Sequence, residues 1–132
     1  MVEARATARF LRGSPQKAGL VVDMIRGKRA AEALSILKHT NKAVCKSVEK
    51  VLRSAIANAQ QKAVEQAKRI DEDDLVVVAA HADQGPSFKR IRPAPMGRAY
   101  RIIHRTTHLT IRVAEKQEDT DQDEAKGTKK AK

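Results

Sequence analysis

The stretch from Gln84 to Arg112 constrains this chain more than any other. It carries Lys89, Arg90, Arg92, Arg98, Arg101, Arg105 and Arg112 and no acidic residue. Gly85-Pro86, Pro93, Pro95 and Gly97 rule out a continuous helix, since proline lacks the amide donor and glycine favours turns. Strand-forming runs flank it: Leu75-Val76-Val77-Val78 before, and Leu109-Thr110-Ile111-Arg112-Val113 after. The pattern predicts one long β-hairpin, extending over about residues 80–105, with a cationic tip. Arms of about ten residues at roughly 3.3 Å each reach about 30 Å. A body of about 100 residues has a radius of gyration near 13 Å, so such an arm projects. It has too few large apolar side chains to pack on itself, and its charge calls for a polyanionic partner.

The rest of the chain is also basic. The net charge is +11, while residues 115–132 hold five lysines against six acids, which leaves +12 on residues 1–114. A folded body that basic points to nucleic acid. An anionic membrane surface fits less well, because no amphipathic helix has the aromatic edge of an interfacial anchor. No apolar run approaches the roughly 20 residues of a membrane span. Aromatic residues amount to 2%, namely Phe10, Phe88 and Tyr100. That argues against a platform stacking successive bases of a single strand, and it leaves the core to Ala, Val, Leu and Ile. Cys45 is the single cysteine, so neither an internal disulfide nor a cysteine-rich metal site is available.

Taken in order, Ala4, Ala6, Ala8 and Phe10 alternate with Arg5, Thr7 and Arg9, which predicts a strand with one apolar and one basic face. Gly13-Ser14-Pro15 starts a helix with Ser14 as its cap and Ala18, Val21, Val22 and Ile25 on its inner side. Gly27 stops it, and Lys28 and Arg29 follow. A short helix with Ala30, Ala33, Leu34 and Leu37 inward comes next. Thr40 or Asn41 is expected to cap a longer one, whose apolar face is Val44, Val48, Val51, Leu52, Ala55, Ile56, Ala59 and Ala63. Cys45 and Met24 read as core. Asp71-Glu72-Asp73-Asp74 reads as a solvated turn before the strand from Leu75 to Ala82. Residues 1–114 are thus expected to form a single α+β unit and residues 115–132 a disordered tail of acids and lysines.

Catalytic chemistry finds no foothold. His104 and His108, read as lying on one strand, would be about 13 Å apart, too far to share an ion. His81 has Asp83 nearby but no activated Ser or Cys. No phosphate-binding glycine loop or His-Glu-x-x-His occurs. What remains is a distributed cationic surface: Arg5, Arg9 and Arg12 on the first strand, Lys17, Arg26, Lys28 and Arg29 around the first helix, and the hairpin set. Arginine predominates in the hairpin, which suits bidentate phosphate contacts. His104 and His108 read as RNA-facing or ordinary surface groups. An arm that bends DNA and an arm that threads folded RNA both satisfy this pattern.

The motifs, in order, resemble the large-subunit ribosomal protein family twenty-two over about residues 5–113. They are Ser14-Pro15-Gln16-Lys17, Ile25-Arg26-Gly27-Lys28, Ser54-Ala55-Ile56-Ala57-Asn58-Ala59 and Gly85-Pro86-Ser87 with Lys89-Arg90 and Pro93. Gly97-Arg98-Ala99, Arg101-Ile102, Arg105 and His108 continue the series. The resemblance implies an α+β fold of three helices packed on a small three-stranded antiparallel sheet, with a long protruding β-hairpin. It implies a non-enzymatic, cytoplasmic constituent of the large subunit, with no cofactor or metal. Such a protein binds 23S-type rRNA across several domains, supports assembly and lines the nascent-peptide exit tunnel. Its partners would be rRNA, neighbouring ribosomal proteins and the nascent polypeptide, not DNA or a membrane. The tip facing the tunnel would be Ile91, Pro93, Ala94, Pro95, Met96 and Gly97. Where the family commonly has Arg, Ala94 stands here, followed by Pro95, and His104 stands where Lys is more usual. The tip therefore has one guanidinium fewer and a stiffer backbone.

Overall fold

The computed structural model describes residues 1–116. β1 (Glu3–Arg12) leads into α1 (Pro15–Ile25), α2 (Ala30–His39) and α3 (Cys45–Glu65). A turn at Glu72–Asp74 precedes β2 (Leu75–Gln84). β3 (Phe88–Pro93), β4 (Ala99–His104) and β5 (Thr106–Glu115) follow. β5 is the middle strand of an antiparallel sheet of order β1-β5-β2, and β3 pairs with β4 alone. This is the expected α+β arrangement of three helices on a three-stranded sheet with a protruding hairpin. Of the expected tail, Glu115 ends β5 and Lys116 follows it; the remainder lies outside the described residues.

The helices cover one face of the sheet. Val21, Val22 and Ile25 of α1, Val48, Leu52 and Ile56 of α3, and Leu75, Val77, Leu109, Ile111 and Val113 of the strands form the buried centre. Ala55, Ala59 and Ala63 are also buried, which lets α3 lie close along β1. Parts of both sheet edges are covered. Asn58 Nδ2 and Lys62 Nζ donate to the carbonyls of Arg5 and Glu3 at 3.1 and 2.9 Å. On the β2 side, Gly27 N–H donates to the Val77 carbonyl and Val77 N–H to that of Lys28, both at 2.9 Å. The edge groups satisfied in this way are withdrawn from pairing with a second chain.

Two β-bulges re-aim side chains. In β2 the register shifts between Val77 and Ala79, which puts Val78 outside and turns Ala80 inward. In β1 it shifts between Ala8 and Leu11. The alternation of Ala4, Ala6 and Ala8 therefore does not extend to Phe10, which is 62% exposed and takes a left-handed φ of 58°. A bulky residue held there costs on the order of 1–3 kcal/mol. Helix signals also differ from expectation. Ser14 precedes α1, but its side chain makes no capping bond. Thr40 closes α2 instead of opening α3: its N–H and hydroxyl both donate to the Ile36 carbonyl, at 3.1 and 2.7 Å. α3 starts five residues later, at the buried Cys45, with Val44 before it. Met24 is not core; it lies exposed on α1, as does Leu20. The acidic cluster is the expected exposed turn, in which Asp71 and Asp74 cap each other's backbone amides.

The β2–β5 pair continues into the arm through one point of close approach. Gly85 N–H donates to the Thr106 carbonyl at 2.9 Å, and the Thr106 hydroxyl donates to the Pro86 carbonyl at 2.6 Å. A Cβ on Gly85 would meet the Thr106 hydroxyl and lie 3.2 Å from its backbone carbon and oxygen. Gly85→Ala is expected to lower stability by about 1–3 kcal/mol through overpacking, and Thr106→Ala in the same chain to recover part of it, read from urea unfolding midpoints.

Candidate nucleic-acid interface

The arm stands clear of the body. All six residues of β3 are exposed, and in β4 only Ile102 is partly covered. Because facing residues of an antiparallel pair point to the same side, the register sorts the arm into two broad faces. Phe88, Arg90 and Arg92 lie opposite His104, Ile102 and Tyr100 on one; Lys89, Ile91 and Pro93 lie opposite Ile103, Arg101 and Ala99 on the other. Each face thus mixes cationic with apolar or aromatic groups. Neither face is an inside.

The tip closes tightly. Ala94 N–H donates to the Arg98 carbonyl at 3.0 Å. Met96 (φ 60°) and Gly97 (φ 67°) are consecutive left-handed residues, as a type I′ turn requires. Met96 is 95% exposed. Residues 93–97 carry no charge, and Arg92 and Arg98 flank them.

At the root, the arm faces β1 and the start of α1 across a groove of about 810 Å3. Arg12 and Lys17 line the body side, and Arg90, His104 and Arg105 the arm side. Gly13 N–H donates to the Arg105 carbonyl at 3.2 Å and the Thr107 hydroxyl to the Gly13 carbonyl at 2.9 Å, which ties the two sides together. A second concavity, about 970 Å3, covers the open face of the sheet. It is lined by Arg5 and Arg9 of β1, His108 and Arg112 of β5, and His81 and Asp83 of β2. Arg112 is paired with Glu3 and His81 with Asp83.

The remaining expected site residues sit apart, at the edge of β2. Arg26 donates from Nε and Nη2 to the Ala80 carbonyl at 3.2 and 2.7 Å and pairs with Asp23 at 3.0 Å. Lys28 pairs with Glu32 at 3.7 Å. Arg29 occupies the position before α2, where the helix dipole disfavours a cation; its charge does nothing for that helix. His104 and His108 do not share a strand: His104 ends β4 on the arm, and His108 lies in β5, its Nδ1 accepting from Phe10 N–H at 3.2 Å. Sequence reasoning misses the exposed aromatic residues as site residues. Phe10, Phe88 and Tyr100 are 62, 50 and 59% exposed, so none is core. Their signal lies in the alternation of aromatic and basic residues in the strands.

A closed α+β body holding a two-faced cationic ribbon away from itself is built as a structural protein for a polyanionic assembly. The chain belongs to the ribosomal protein L22p/L17e family, whose pattern matches residues 6–114. It is similar to the large ribosomal subunit protein uL22 of Solibacter usitatus, 51% identical over 116 residues, which are 88% of this chain and 99% of that one. It is also similar to uL22 of Acidothermus cellulolyticus, 53% identical over 113 residues, 86% of this chain but 40% of that longer protein. The chain is therefore a structural constituent of the large ribosomal subunit in the cytoplasm, not an enzyme, and associates with large-subunit rRNA and ribosomal proteins.

The geometry separates two kinds of arginine. Arg26→Gln is expected to lower body stability by about 1–2 kcal/mol, because the Ala80 carbonyl loses a charged donor. Arg90→Gln, on the exposed arm, should leave the melting temperature unchanged; circular dichroism melts of the two variants check this.

Proposed function

We propose that the protein binds rRNA of several large-subunit domains at once, supports subunit assembly, and lines the nascent-peptide exit tunnel with its arm. The observation that carries this reading is the arm's pair of mixed faces. A ribbon with cations and apolar groups on both sides is fully engaged only when walled on both sides, as between folded RNA segments. Lys89, Arg90, Arg92, Arg98, Arg101 and Arg105 take phosphates along the arm, and His104 adds a polar group beside them. Arg5, Arg9 and His108 on the sheet face, Arg12 and Lys17 at the root, and Lys28 and Arg29 at the far edge bring other RNA segments to the body, while Arg26, expected from the sequence to join them, is engaged with the Ala80 carbonyl and Asp23 and holds that edge in shape. Arginine's planar fork suits bidentate phosphate recognition.

The tip has a different task. Ile91, Pro93, Ala94, Pro95, Met96 and Gly97 present an uncharged surface stiffened by two prolines. Facing the tunnel, it offers a passing polypeptide no ionic anchor, while the flanking Arg92 and Arg98 hold the strand ends to RNA. Residues 1–114 act as the RNA-binding unit.

Removal of Lys89 to Arg98 tests the reading. The body should fold with an unchanged melting temperature, as the arm buries almost nothing, and rRNA affinity should fall. The slope of log affinity against log salt should shrink by roughly 0.7–0.9 for each phosphate that the shortened chain no longer neutralises. A photo-crosslinker at Met96 in assembled particles should capture stalled nascent chains. An unchanged salt slope, or capture of rRNA alone at Met96, would count against the arm's assignment.

A further inference from the structure

All three aromatic side chains lie outside a core made of Ala, Val, Leu and Ile. Aromatic rings ordinarily dominate buried contacts, so their placement outside leaves their surface free for a partner. Two of them, Phe10 and Phe88, converge on the root groove from opposite sides, one from the bulge of β1 and one from the first residue of β3. Phe10 is fixed in place there. Its backbone is left-handed, its N–H donates to His108, and its ring meets the His108 imidazole edge-on at 5.0 Å and 86°. Backbone strain kept at an exposed side chain is an outlier of the kind that clusters at functional positions. Around the rings, Arg12, Lys17, Arg90 and Arg105 line the groove, and among the described residues no acid does. The groove's 810 Å3 falls in the range of clefts that enclose ligands of nucleotide size.

We infer that this root groove holds one unstacked base of a single-stranded rRNA segment, packed on the rings of Phe10 and Phe88, with its flanking phosphates on Arg12, Lys17 and Arg105. It rests on the reading of the chain as an rRNA binder and adds to it a single-base site. Two rings in one groove cannot make a platform for successive bases, but they suffice for one. Sequence-specific RNA recognition works on such splayed-out bases, stacked on aromatic planes. The same set suits protein poorly, since an apolar peptide side chain would leave four cations unpaired.

The test uses the full chain and in-vitro transcribed large-subunit rRNA. Ultraviolet irradiation of the complex followed by mass spectrometry should map nucleotide adducts to Phe10 or Phe88. Phe88→Leu, which keeps bulk but removes the ring on an arm that cannot unfold the body, should weaken binding about tenfold, and Phe88→Trp should restore it. The salt slope should stay at the wild-type value in Phe88→Leu and shrink in Arg12→Gln. Phe10→Leu should reproduce the weakening seen with Phe88→Leu, and its melting temperature separates ring removal from any misfolding. If wild-type protein failed to bind the rRNA, the reading as an rRNA binder would fall. If it bound while Phe88→Leu matched it and no adduct reached either ring, only the single-base site would be overturned. In assembled subunits irradiated the same way, crosslinks from these rings to a ribosomal protein instead of rRNA would overturn it equally.

Discussion

Main-chain pairing along β5 supports the rest of the molecule. β5 bonds to β1 on one side and to β2 on the other, and its inward side chains Leu109, Ile111 and Val113 are fully buried. The β2–β5 ladder does not stop at the body's surface. It passes through Gly85 and Thr106 into β3 and β4, so the arm is an outgrowth of the sheet and not a loop hung from it. Helices on the inner face hold the ladder in place, and the same ladder sets the direction of the arm.

The side chains available for the core explain the surface. A helix whose inward positions include Ala55, Ala59 and Ala63 can approach a strand bearing Ala4 and Ala6 closely, and such a layer has no room for rings. Small residues within therefore accompany aromatic residues without. The sheet's second face, bearing Arg5, Arg9, His108 and Arg112, is left open by α1, α2 and α3, which pack on the other face. One fold thus separates an uncharged, tightly packed layer from a cationic one.

Helical faces are legible in the sequence because their period persists: Val48, Val51, Leu52, Ala55, Ile56, Ala59 and Ala63 are all buried as the spacing implies. The arm is legible from its prolines, glycines and missing acids. The bulges are not, since a single inserted residue reverses every later side chain without altering composition, and this is why simple alternation puts Phe10 on the wrong face. Thr40 misleads because a hydroxyl that ends one helix by bonding Ile36 is chemically the same group that begins another. Met24 misleads because one methionine on an amphipathic helix fits inside or outside equally well. Arg26 looks like its neighbours among the cations, and only the position of the Ala80 carbonyl distinguishes it.

The ribbon's lack of an inner side has a topological corollary. If the arm binds through both broad sides, as proposed, it cannot be laid onto a finished surface, for half of it would then face water. Its walls have to be raised around it. Departure then requires those walls to open first, so residence is governed by the lifetime of the enclosure and not by the strength of any individual bond.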